Sequence, residues 1–439
     1  MRAVFLFVIA VSTAAAQGKL QLSLKRAVEI ALTPEGSTRV ALAQQSIKQA
    51  EERVVEARAA FLPNVDGAVT WRNQTVNLQT FGINFSLPLL GFASPSLVGP
   101  FTVFDSRGSA QQSVFNYSDI RKYQASRMSL LATRADFETT KDQVTDQVAR
   151  GYAASLRADA SLQAAQANVE LSNALERLAT SQKNAGTGTG IEVTRAQVQL
   201  ANDRQRLIVA ENDRQRNVLQ LLRVMGLNLD VGVDFSDRLA YVPVNVADLE
   251  ASLKTAKEDR AELKAQQRRE DSAKMSYDAV AAERFPTIGA FGDYGPNGLG
   301  IDASRPTRQI GVSIKVPVFD GFRRDARRAE SYSQYKQETI RTRDLLQQIE
   351  LEVRLALDSL RSAQAQVDTA RDGLTLSQNE LAQAQRRYQA GVSNSLEVTD
   401  AQTRLIRAQD NQIAALYAYQ LARVDLAAAT GTIGEFVNQ

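Results

Sequence analysis

The sequence predicts a mainly α-helical chain with a small β part, built as a tandem duplication. Three observations support this class. A segment of thirteen residues recurs 205 residues later, only ten of the 439 residues are proline, and alternating apolar residues occur only in short stretches. Long proline-free segments of good helix formers favour long helices, whereas strict alternation is the pattern of a half-buried strand.

Composition excludes several kinds of active site. The chain has no histidine and no cysteine, which rules out a Ser-His-Asp triad, a cysteine nucleophile, a thiolate zinc site and a disulfide. Its 52 basic and 49 acidic residues give a net charge of +3, which is too balanced to indicate nucleic-acid binding. We therefore expect no enzyme activity, no metal, no cofactor and no nucleic-acid partner.

Residues 1–16 have the pattern of a secretory signal peptide. Arg2 precedes the apolar segment 3–11, and a small-residue cleavage pattern ends at Ala16. We expect cleavage there and a mature chain outside the cytoplasm, without a lipid anchor because no cysteine follows. No other segment has about 18 consecutive apolar residues, so no membrane helix is expected.

Two anchors define the duplication. Residues 185–197 align with 390–402 at an offset of 205 and share seven of thirteen residues, while Pro63 aligns with Pro286 at an offset of 223. The difference implies about 18 extra residues in the first copy, which we place in a long loop within 79–108 because of its Gly, Pro, Ser and Phe content. We predict repeat 1 at 17–245 (copy one) and repeat 2 at 246–439 (copy two).

Each copy follows one plan of helix, two strands, long helix and helix. The first helix begins after the N-cap residue Ser23 or Asp248 and runs toward Pro63 or Pro286, with a kink in copy one at Pro34 and Gly36. The strands are predicted near 64–78, 109–118, 287–294 and 309–318. The long helices are predicted at 119–185 and 321–390, and the final helices at 190–226 and 395–430.

The strands alternate between an apolar and a polar face. We assign the apolar face to lipid, and it carries Ile310, Val312, Ile314, Val316, Val65, Val69 and Trp71. Four strands cannot close a barrel, since about eight are needed before side chains fill the interior. Eight strands from a dimer would give a plugged barrel, and twelve from a trimer would leave a lumen. The alternative is a soluble coiled-coil protein whose predicted strands are loops.

Short motifs, found in order in both copies, resemble the TolC family of outer-membrane efflux and type I secretion ducts. The motifs are the Leu22-x-Leu24-x-x-Ala27 opening, the helix-to-strand corner 59–63, the strand-to-helix corner 316–321, and Ala390-Gly391 followed by residues 396–402. The resemblance covers residues 17–439. It implies a homotrimeric twelve-stranded transmembrane β-barrel, continued by a long α-helical barrel in the periplasm.

The resemblance also implies a function and partners. The assembly would be a passive exit duct in the outer membrane, contacting its lipid and docked to a periplasmic adaptor protein and an inner-membrane transporter. The cargo would be small molecules such as drugs and toxic compounds. A type I protein secretion duct and a periplasmic coiled-coil scaffold without a barrel remain alternatives.

The turn between the last two helices of each copy is a candidate docking tip. Gly186, Gly190 and Gly391 supply conformational freedom for a bend between helices, and the spacing does not fit a phosphate-binding loop. The resemblance places these turns at the periplasmic end of the duct. There they would contact the adaptor.

Charged residues beside these turns have both structural and functional interpretations. Thr189-x-x-Glu192 and Asn394-x-x-Glu397 match capping boxes, whereas the resemblance has both glutamates line a periplasmic aperture. Asp400 matches an acidic position of the family's constriction, and its counterpart in copy one is Arg195. Because hairpins of the two copies would alternate around a ring, we expect Asp400 to lie near Arg195.

Three further features complete the candidate set. Tyr388 matches a tyrosine that helps hold the closed tip in the family, but Ser393 stands where the partner arginine is expected. The arginines after the copy-two strands contact either headgroups or solvent, and the phenylalanines of 79–108 form either an interfacial girdle or a loop core. These residues are Arg323, Arg324, Arg327, Arg328, Phe81, Phe85, Phe92, Phe101 and Phe104.

Overall fold

The structure is a computed structural model, and it describes residues 20–33, 36–82, 86–87, 92–93, 96–244 and 248–438. The predicted signal peptide, the predicted kink residue Pro34, Phe85 and the predicted repeat boundary at 245 lie outside these residues. The chain divides into two compact units. One comprises residues 1–46, 135–264 and 343–439, and the other comprises 47–134 and 265–342.

The helices account for most of the described chain. The two longest follow the sheet strands of each copy, and each is followed by a shorter helix after a tight turn. In chain order the helices are α1 Leu24–Leu32, α2 Thr38–Ala59, α3 Tyr117–Asn184, α4 Gly190–Val224, α5 Leu249–Asp259, α6 Ala261–Ala281, α7 Arg323–Gln389, α8 Ser395–Thr430 and α9 Ile433–Phe436.

The strands form one large sheet and two small ones. In chain order they are β1 Leu20–Leu22, β2 Asn64–Asn77, β3 Ser86–Leu87, β4 Phe92–Ala93, β5 Leu97–Phe115, β6 Val233–Phe235, β7 Thr287–Gly298 and β8 Arg305–Lys315. The large sheet is antiparallel with the order β2-β5-β7-β8, so each copy contributes two neighbouring strands. Strand β1 pairs in parallel with β6, and β3 pairs with β4.

Strand β5 corrects the prediction for residues 79–108. Residues 97–108 were assigned to a long loop and the strand to 109–118, but β5 begins at Leu97 and ends at Phe115. It lies between β2 and β7 and pairs with both. Backbone hydrogen bonds on two sides stabilise this strand, so it forms despite its Gly, Ser and Gln residues and its weak alternation.

The first helix of each copy is broken rather than continuous. Copy one has α1 and α2, and copy two has α5 and α6 separated at Arg260. No proline or glycine marks the second break, which coincides with a tertiary contact. Gly431 after α8 lies so close that a Cβ there would be 2.9 Å from the Arg260 backbone nitrogen. Copy one repeats this contact between Gly226 and Gly36.

Apolar side chains of the helices form the core of the first unit. Copy one buries Tyr152, whose hydroxyl donates to Asp237 at 2.7 Å or to the Leu22 carbonyl at 3.0 Å, among α1, α3 and α4. Copy two buries Ile349 and Val353 of α7 against Leu263. A further cluster lies near the turns between the last two helices and joins α7 and α8 to leucines of α3. The two hairpins α3–α4 and α7–α8 are therefore packed together near their turns.

Candidate functional site: hairpin turns and sheet faces

The two hairpin turns have the same backbone geometry. Gly186 has φ +74° and Gly391 has φ +70°, a region where L side chains are strained. In both turns the glycine N–H donates to a carbonyl three residues earlier. Gly190 is different, since it begins α4 without a positive φ and has open space where a Cβ would lie. Two of the three predicted tip glycines are thus required by the backbone.

Glu192 is held by the start of its own helix. Its carboxylate accepts from the Thr189 backbone N–H at 2.8 Å and from the Thr189 hydroxyl at 3.1 Å. The backbone hydrogen bond from Thr189 is the main cause that lowers the pKa of Glu192, and the Ser395 backbone N–H of the other hairpin adds to it. Glu192 is therefore ionised at neutral pH and restrained at the turn.

Glu397 does not complete the capping box that its spacing predicts. The Asn394 side chain accepts from the backbone N–H groups of Leu396 and Glu397, but the Glu397 carboxylate lies 3.1 Å from Arg387 of α7 instead. The ion pair crosses the turn and links the end of α7 to the start of α8. Asparagine alone caps α8, and Glu397 serves as a charge partner.

Asp400 is paired within copy two of the same chain. Its carboxylate binds Arg404 one turn further along α8, and Arg404 also lies 3.0 Å from Glu380 of α7. Arg195 is exposed on α4, and its charge helps to lower the pKa of Glu192. The expected approach of Asp400 to Arg195 on neighbouring hairpins of a ring stays a prediction.

Tyr388 is buried between the two hairpins, only 6% exposed. Its hydroxyl has no hydrogen-bond partner among the described residues. Burial, followed by the negative charge of Glu192, raises the pKa of this hydroxyl. Ser393, which replaces the arginine expected from the resemblance, likewise has a buried hydroxyl without a partner in the described part of the chain.

A buried polar cluster beside Tyr388 was not singled out as a site from the sequence. Asp203 of α4 is 1% exposed and accepts from the Ser172 hydroxyl at 2.5 Å. Gln402 of α8 donates to Ser172 at 2.6 Å and to Asp203 at 3.3 Å, and Gln199 donates to Asp203 at 3.1 Å. The available signal is that Asp203 aligns with Ala408 of copy two, an apolar position of the final helix, where a polar residue must find partners.

The large sheet has one apolar and one polar face. Residues paired in register share a face, so Val65, Ala110, Gly292 and Ile310 form one row. The apolar face carries six of the seven predicted lipid-facing side chains; the seventh, Val316, lies beyond the end of β8. The same face also carries Phe104, Phe115, Ile288 and Ala290. All seven predicted side chains are exposed in the single chain.

Charged groups on the opposite face form a hydrogen-bonded network. Arg107 of β5 lies 2.8 Å from Asp293 of β7 and 3.2 Å from Asp105. Asn297 donates to Asp105 at 3.1 Å. Ion pairs of this kind do not face hydrocarbon, so this face is suited to water.

The arginines and phenylalanines singled out from the sequence have mixed surroundings. Arg324 binds Asp320 at 2.8 Å, Arg327 binds Glu283 at 2.6 Å, and Arg328 donates to the Tyr277 hydroxyl. Phe104 lies beside Trp71 on the apolar face, with ring centroids 6.0 Å apart. Phe81 is exposed, and Phe101 pairs in register with Gln74.

Two kinds of feature are absent from the described residues. None of the helices described is both long and apolar enough to cross a bilayer. Among the same residues, no group of three or more His, Cys, Asp or Glu side chains could hold a metal ion.

Solved structures share the fold. The outer membrane protein VceC from Vibrio cholerae superposes with a TM-score of 0.78 over 93% of this chain and 96% of that one, at 18% identity. The Campylobacter jejuni CmeC outer membrane channel gives a TM-score of 0.76 over 93% and 85%, at 16% identity. These likenesses describe the architecture.

Curated relatives are more similar in sequence. The pyoverdine export outer membrane protein OpmQ of Pseudomonas aeruginosa is 26% identical over 321 residues, 70% of this chain and 65% of that protein, just under two thirds of its length. OpmQ of Pseudomonas putida is 26% identical over 89% of this chain and 81% of its own length. The alkaline protease secretion protein AprF of P. aeruginosa is 22% identical over 74% and 69%.

The family comparison matches both copies. Residues 32–227 and 252–432 each match the outer membrane efflux protein family, which confirms the predicted tandem duplication. Together these segments span most of the chain, and the architecture is that of TolC-like channels. The chain therefore belongs to the outer membrane efflux protein family.

Proposed function

We propose that three copies of this chain form a passive exit duct that spans the outer membrane and extends into the periplasm. Each subunit would contribute four strands to a twelve-stranded barrel and its long helices to a helical tunnel. The duct would receive small molecules from an inner-membrane transporter through a periplasmic adaptor. The chain would act by transport and not by catalysis.

The observation that carries the proposal is the two-faced sheet with free edges. Strands β2 and β8 end the order of the four-stranded sheet, so each leaves backbone groups unpaired. Unpaired edges are prohibitive in hydrocarbon, and barrel closure removes them. Twelve strands give a lumen wide enough for solutes, which four strands do not. The polar network around Arg107 would then face the lumen, and the apolar face would contact lipid.

Exposed apolar side chains on the helices support packing between copies. On α4 they include Ile191, Val198 and Ile208, and on α7 they include Leu351, Leu355 and Leu376. A soluble coiled-coil monomer would leave these side chains in water. In a closed ring, α4 of one subunit would pack against α7 of the next subunit, and this contact would bury both sets of side chains.

We assign the hairpin turns to adaptor docking and the charges beside them to the periplasmic aperture. The rigid turns at Gly186 and Gly391, with Gly190, would present the docking surface. Glu192, Glu397, Asp400 and Arg195 would set the charge of the aperture, and Tyr388 would hold the two hairpins together. The observation in support is that all of these side chains lie within a few residues of the two turns.

Export of small molecules is favoured over protein secretion by the order of the relatives. OpmQ, named for pyoverdine export, is 26% identical over as much as 89% of this chain, whereas AprF, named for alkaline protease secretion, is 22% identical. Protein secretion is the second candidate because AprF shares the family. Both functions use the same duct.

A pair of adjacent substitutions tests the barrel. Val312 lies on the apolar face of β8 and Ser313 on the polar face. We expect Val312→Arg to prevent stable trimers in the outer membrane, because arginine on a lipid face costs about 2–4 kcal/mol near the midplane. Ser313→Arg places the same side chain in the lumen and should assemble. The measurement is the amount of trimer on unheated gels of washed outer membranes, with single-channel conductance of the purified protein.

Three outcomes would change the proposal. Assembly of the Val312 variant with failure of the Ser313 variant would invert the two faces. Recovery of all variants by a carbonate wash, without conductance, would indicate the periplasmic scaffold. A conducting dimer would contradict the trimer.

A further inference from the structure

An apolar cleft lies at one end of the sheet, where the strands meet the helices. Its volume is about 470 Å³, within the range of roughly 300–1,000 Å³ that small-molecule sites occupy. It belongs entirely to the second unit. Its lining consists of Phe115, Tyr117, Phe285, Pro286, Ile288 and Ile314.

The lining is apolar and aromatic, and a cation lies directly beside it on α3. Ile288, Ile314 and Phe115 share the apolar face of the sheet, since they pair in register at the strand ends. Tyr117 begins α3, and its ring contacts Phe285 edge to face at 5.9 Å. One turn further along α3, Arg121 donates to the Tyr117 hydroxyl at 3.0 Å. A cation thus lies next to the aromatic lining at the start of α3, beside an otherwise apolar cleft.

Arg121 has charge available for a ligand. Its guanidinium lies 5.2 Å from the Tyr117 ring centroid and also contacts Gln124 and the Met275 sulfur. Within the described residues its hydrogen-bond partners are all neutral. Neighbouring arginines differ, because Arg324 and Arg327 are committed to Asp320 and Glu283. A partly buried cation with neutral partners favours an anion.

We propose that this cleft binds one anionic phospholipid of the periplasmic leaflet, with an acyl chain along Ile288, Ile314 and Phe115 and the phosphate at Arg121. The inference rests on the proposed function, since the apolar face meets lipid only if the sheet is part of a barrel. It adds a specific anionic-lipid site to that function.

Two arguments select a phospholipid as the occupant. The cleft is continuous with the apolar face of the sheet, so an acyl chain enters it without crossing water. Arg121 lies four residues beyond Tyr117, or about 6 Å along the helix. The headgroup layer is roughly 5–8 Å thick on each side of the hydrocarbon core, so the guanidinium reaches phosphate depth when Tyr117 lies at the interface.

The chain has one tryptophan, which makes a fluorescence test direct. In a Trp71→Phe background, Phe285→Trp places a reporter in the cleft and Phe291→Trp places one on the polar face of the same segment. Each full-length protein is reconstituted in phosphatidylcholine vesicles, and brominated phosphatidylglycerol or brominated phosphatidylcholine is titrated as a quencher. We expect the cleft reporter to favour the anionic lipid about fivefold, the factor that roughly 1 kcal/mol per arginine provides.

The variants at the cleft separate the possible outcomes. Arg121→Gln should abolish the preference for phosphatidylglycerol, and Tyr117→Phe should weaken it by releasing Arg121. Strong quenching by both lipids without preference, unchanged in Arg121→Gln, would overturn the lipid site but leave the barrel intact. Equal or stronger quenching of the Phe291→Trp reporter would overturn the lipid facing of the sheet, and with it the proposed function.

Discussion

The two hairpin turns share a backbone and differ in how their charges are held. Gly186 and Gly391, 205 residues apart, have φ values of +74° and +70°. In copy two, Arg387 binds Glu397 and Arg404 binds both Asp400 and Glu380. In copy one the residues at the positions of Arg387 and Arg404 are Gln182 and Gln199. In copy one the Glu192 carboxylate accepts a hydrogen bond from the Thr189 backbone N–H instead.

The difference shows what duplication conserves. A tight turn allows few backbone conformations, and glycine satisfies both copies in the same way. Charge pairs depend on single long side chains, so one Arg-to-Gln difference redirects a carboxylate to another partner. Copy two is stabilised near its turn by ion pairs on the surface. Copy one instead supplies the buried Asp203 and Ser172, which Gln402 of copy two joins in one cluster.

Replacing Asp203 tests the largest difference between the copies. The residue 205 positions later is Ala408, which is also buried. Asp203→Ala copies that residue into copy one and leaves the donors Ser172, Gln199 and Gln402 without their acceptor. We expect a loss of about 2–3 kcal/mol of stability, because buried unsatisfied polar groups cost about 1–3 kcal/mol. The measurement is the Tm of the purified protein by calorimetry.

Two controls isolate the buried cluster. Asp203→Asn keeps one acceptor oxygen at the same place and should lose less than half as much stability. Asp213→Ala removes a partly exposed aspartate from the same helix, whose side chain is 48% exposed and lies 3.5 Å from Arg216, and it should change Tm little. Equal losses in all three variants would contradict a specific role for the cluster.

Elements set by local signals could be read from the sequence. The long helix predicted at 119–185 is observed as Tyr117–Asn184, and the helix predicted at 395–430 is observed as Ser395–Thr430. Their ends follow from caps and glycine turns, which act over a few residues. The alternation of β8 likewise assigned residues to faces that the register reproduces.

Features set by distant contacts could not be read in this way. The break at Arg260 coincides with a close approach to Gly431, which is 171 residues away in sequence. Strand β5 extends to Leu97 because β2 pairs with its first residues, whereas β7 pairs with it only from Phe104 onward. At the site, Asp400 and Arg195 occupy equivalent positions of the two copies, but within the chain Asp400 binds Arg404, which lies one turn further along α8. Alignment identifies equivalent positions, whereas side-chain reach decides which charges meet.

Replacing Asp142 tests a smaller difference, with a defined pH dependence. Partial burial, and then the charge of Glu138, raise the pKa of Asp142 from 3.8 to about 6, while Lys141 and Arg260 oppose the shift. The folded chain therefore holds this proton to higher pH than the unfolded chain, and stability falls as pH rises from about 4 to 6. Copy two has Gln347 at the matching position, 205 residues later.

Asp142→Gln should remove this pH-dependent loss. We expect the variant to gain about 1 kcal/mol at pH 7.5, a figure reduced for the partial exposure of the carboxyl, and to gain nothing at pH 4. Calorimetric Tm values at the two pH values measure the gain. Asp146→Gln, which breaks a 2.9 Å pair with Arg150 in the same helix, should lower Tm at pH 7.5. A gain of equal size at both pH values would contradict the assignment to Asp142.

The smallest expected effect concerns charge at the aperture. Arg404→Gln gives copy two the residue that copy one has at Gln199, and it frees the carboxylates of Asp400 and Glu380. In a trimer three positive charges are lost, so the aperture becomes more acidic and attracts cations. We expect cation selectivity to rise in planar bilayers by less than the roughly tenfold focusing of a strongly charged cleft. The effect should shrink in 1 M salt, where the Debye length is about 3 Å.

Arg371→Gln is the matched control for this substitution. It also removes one positive charge, but from α7, where Arg371 lies 3.5 Å from Asp368. Glu380 is nine residues nearer the turn than Arg371, or about 14 Å along the helix, which exceeds the Debye length of about 10 Å at 0.1 M. If charge at the aperture sets cation selectivity, Arg404→Gln should change it and Arg371→Gln should not. Equal changes in both variants would mean that selectivity follows the net charge of the tunnel, and no change in either would place the constriction away from these residues.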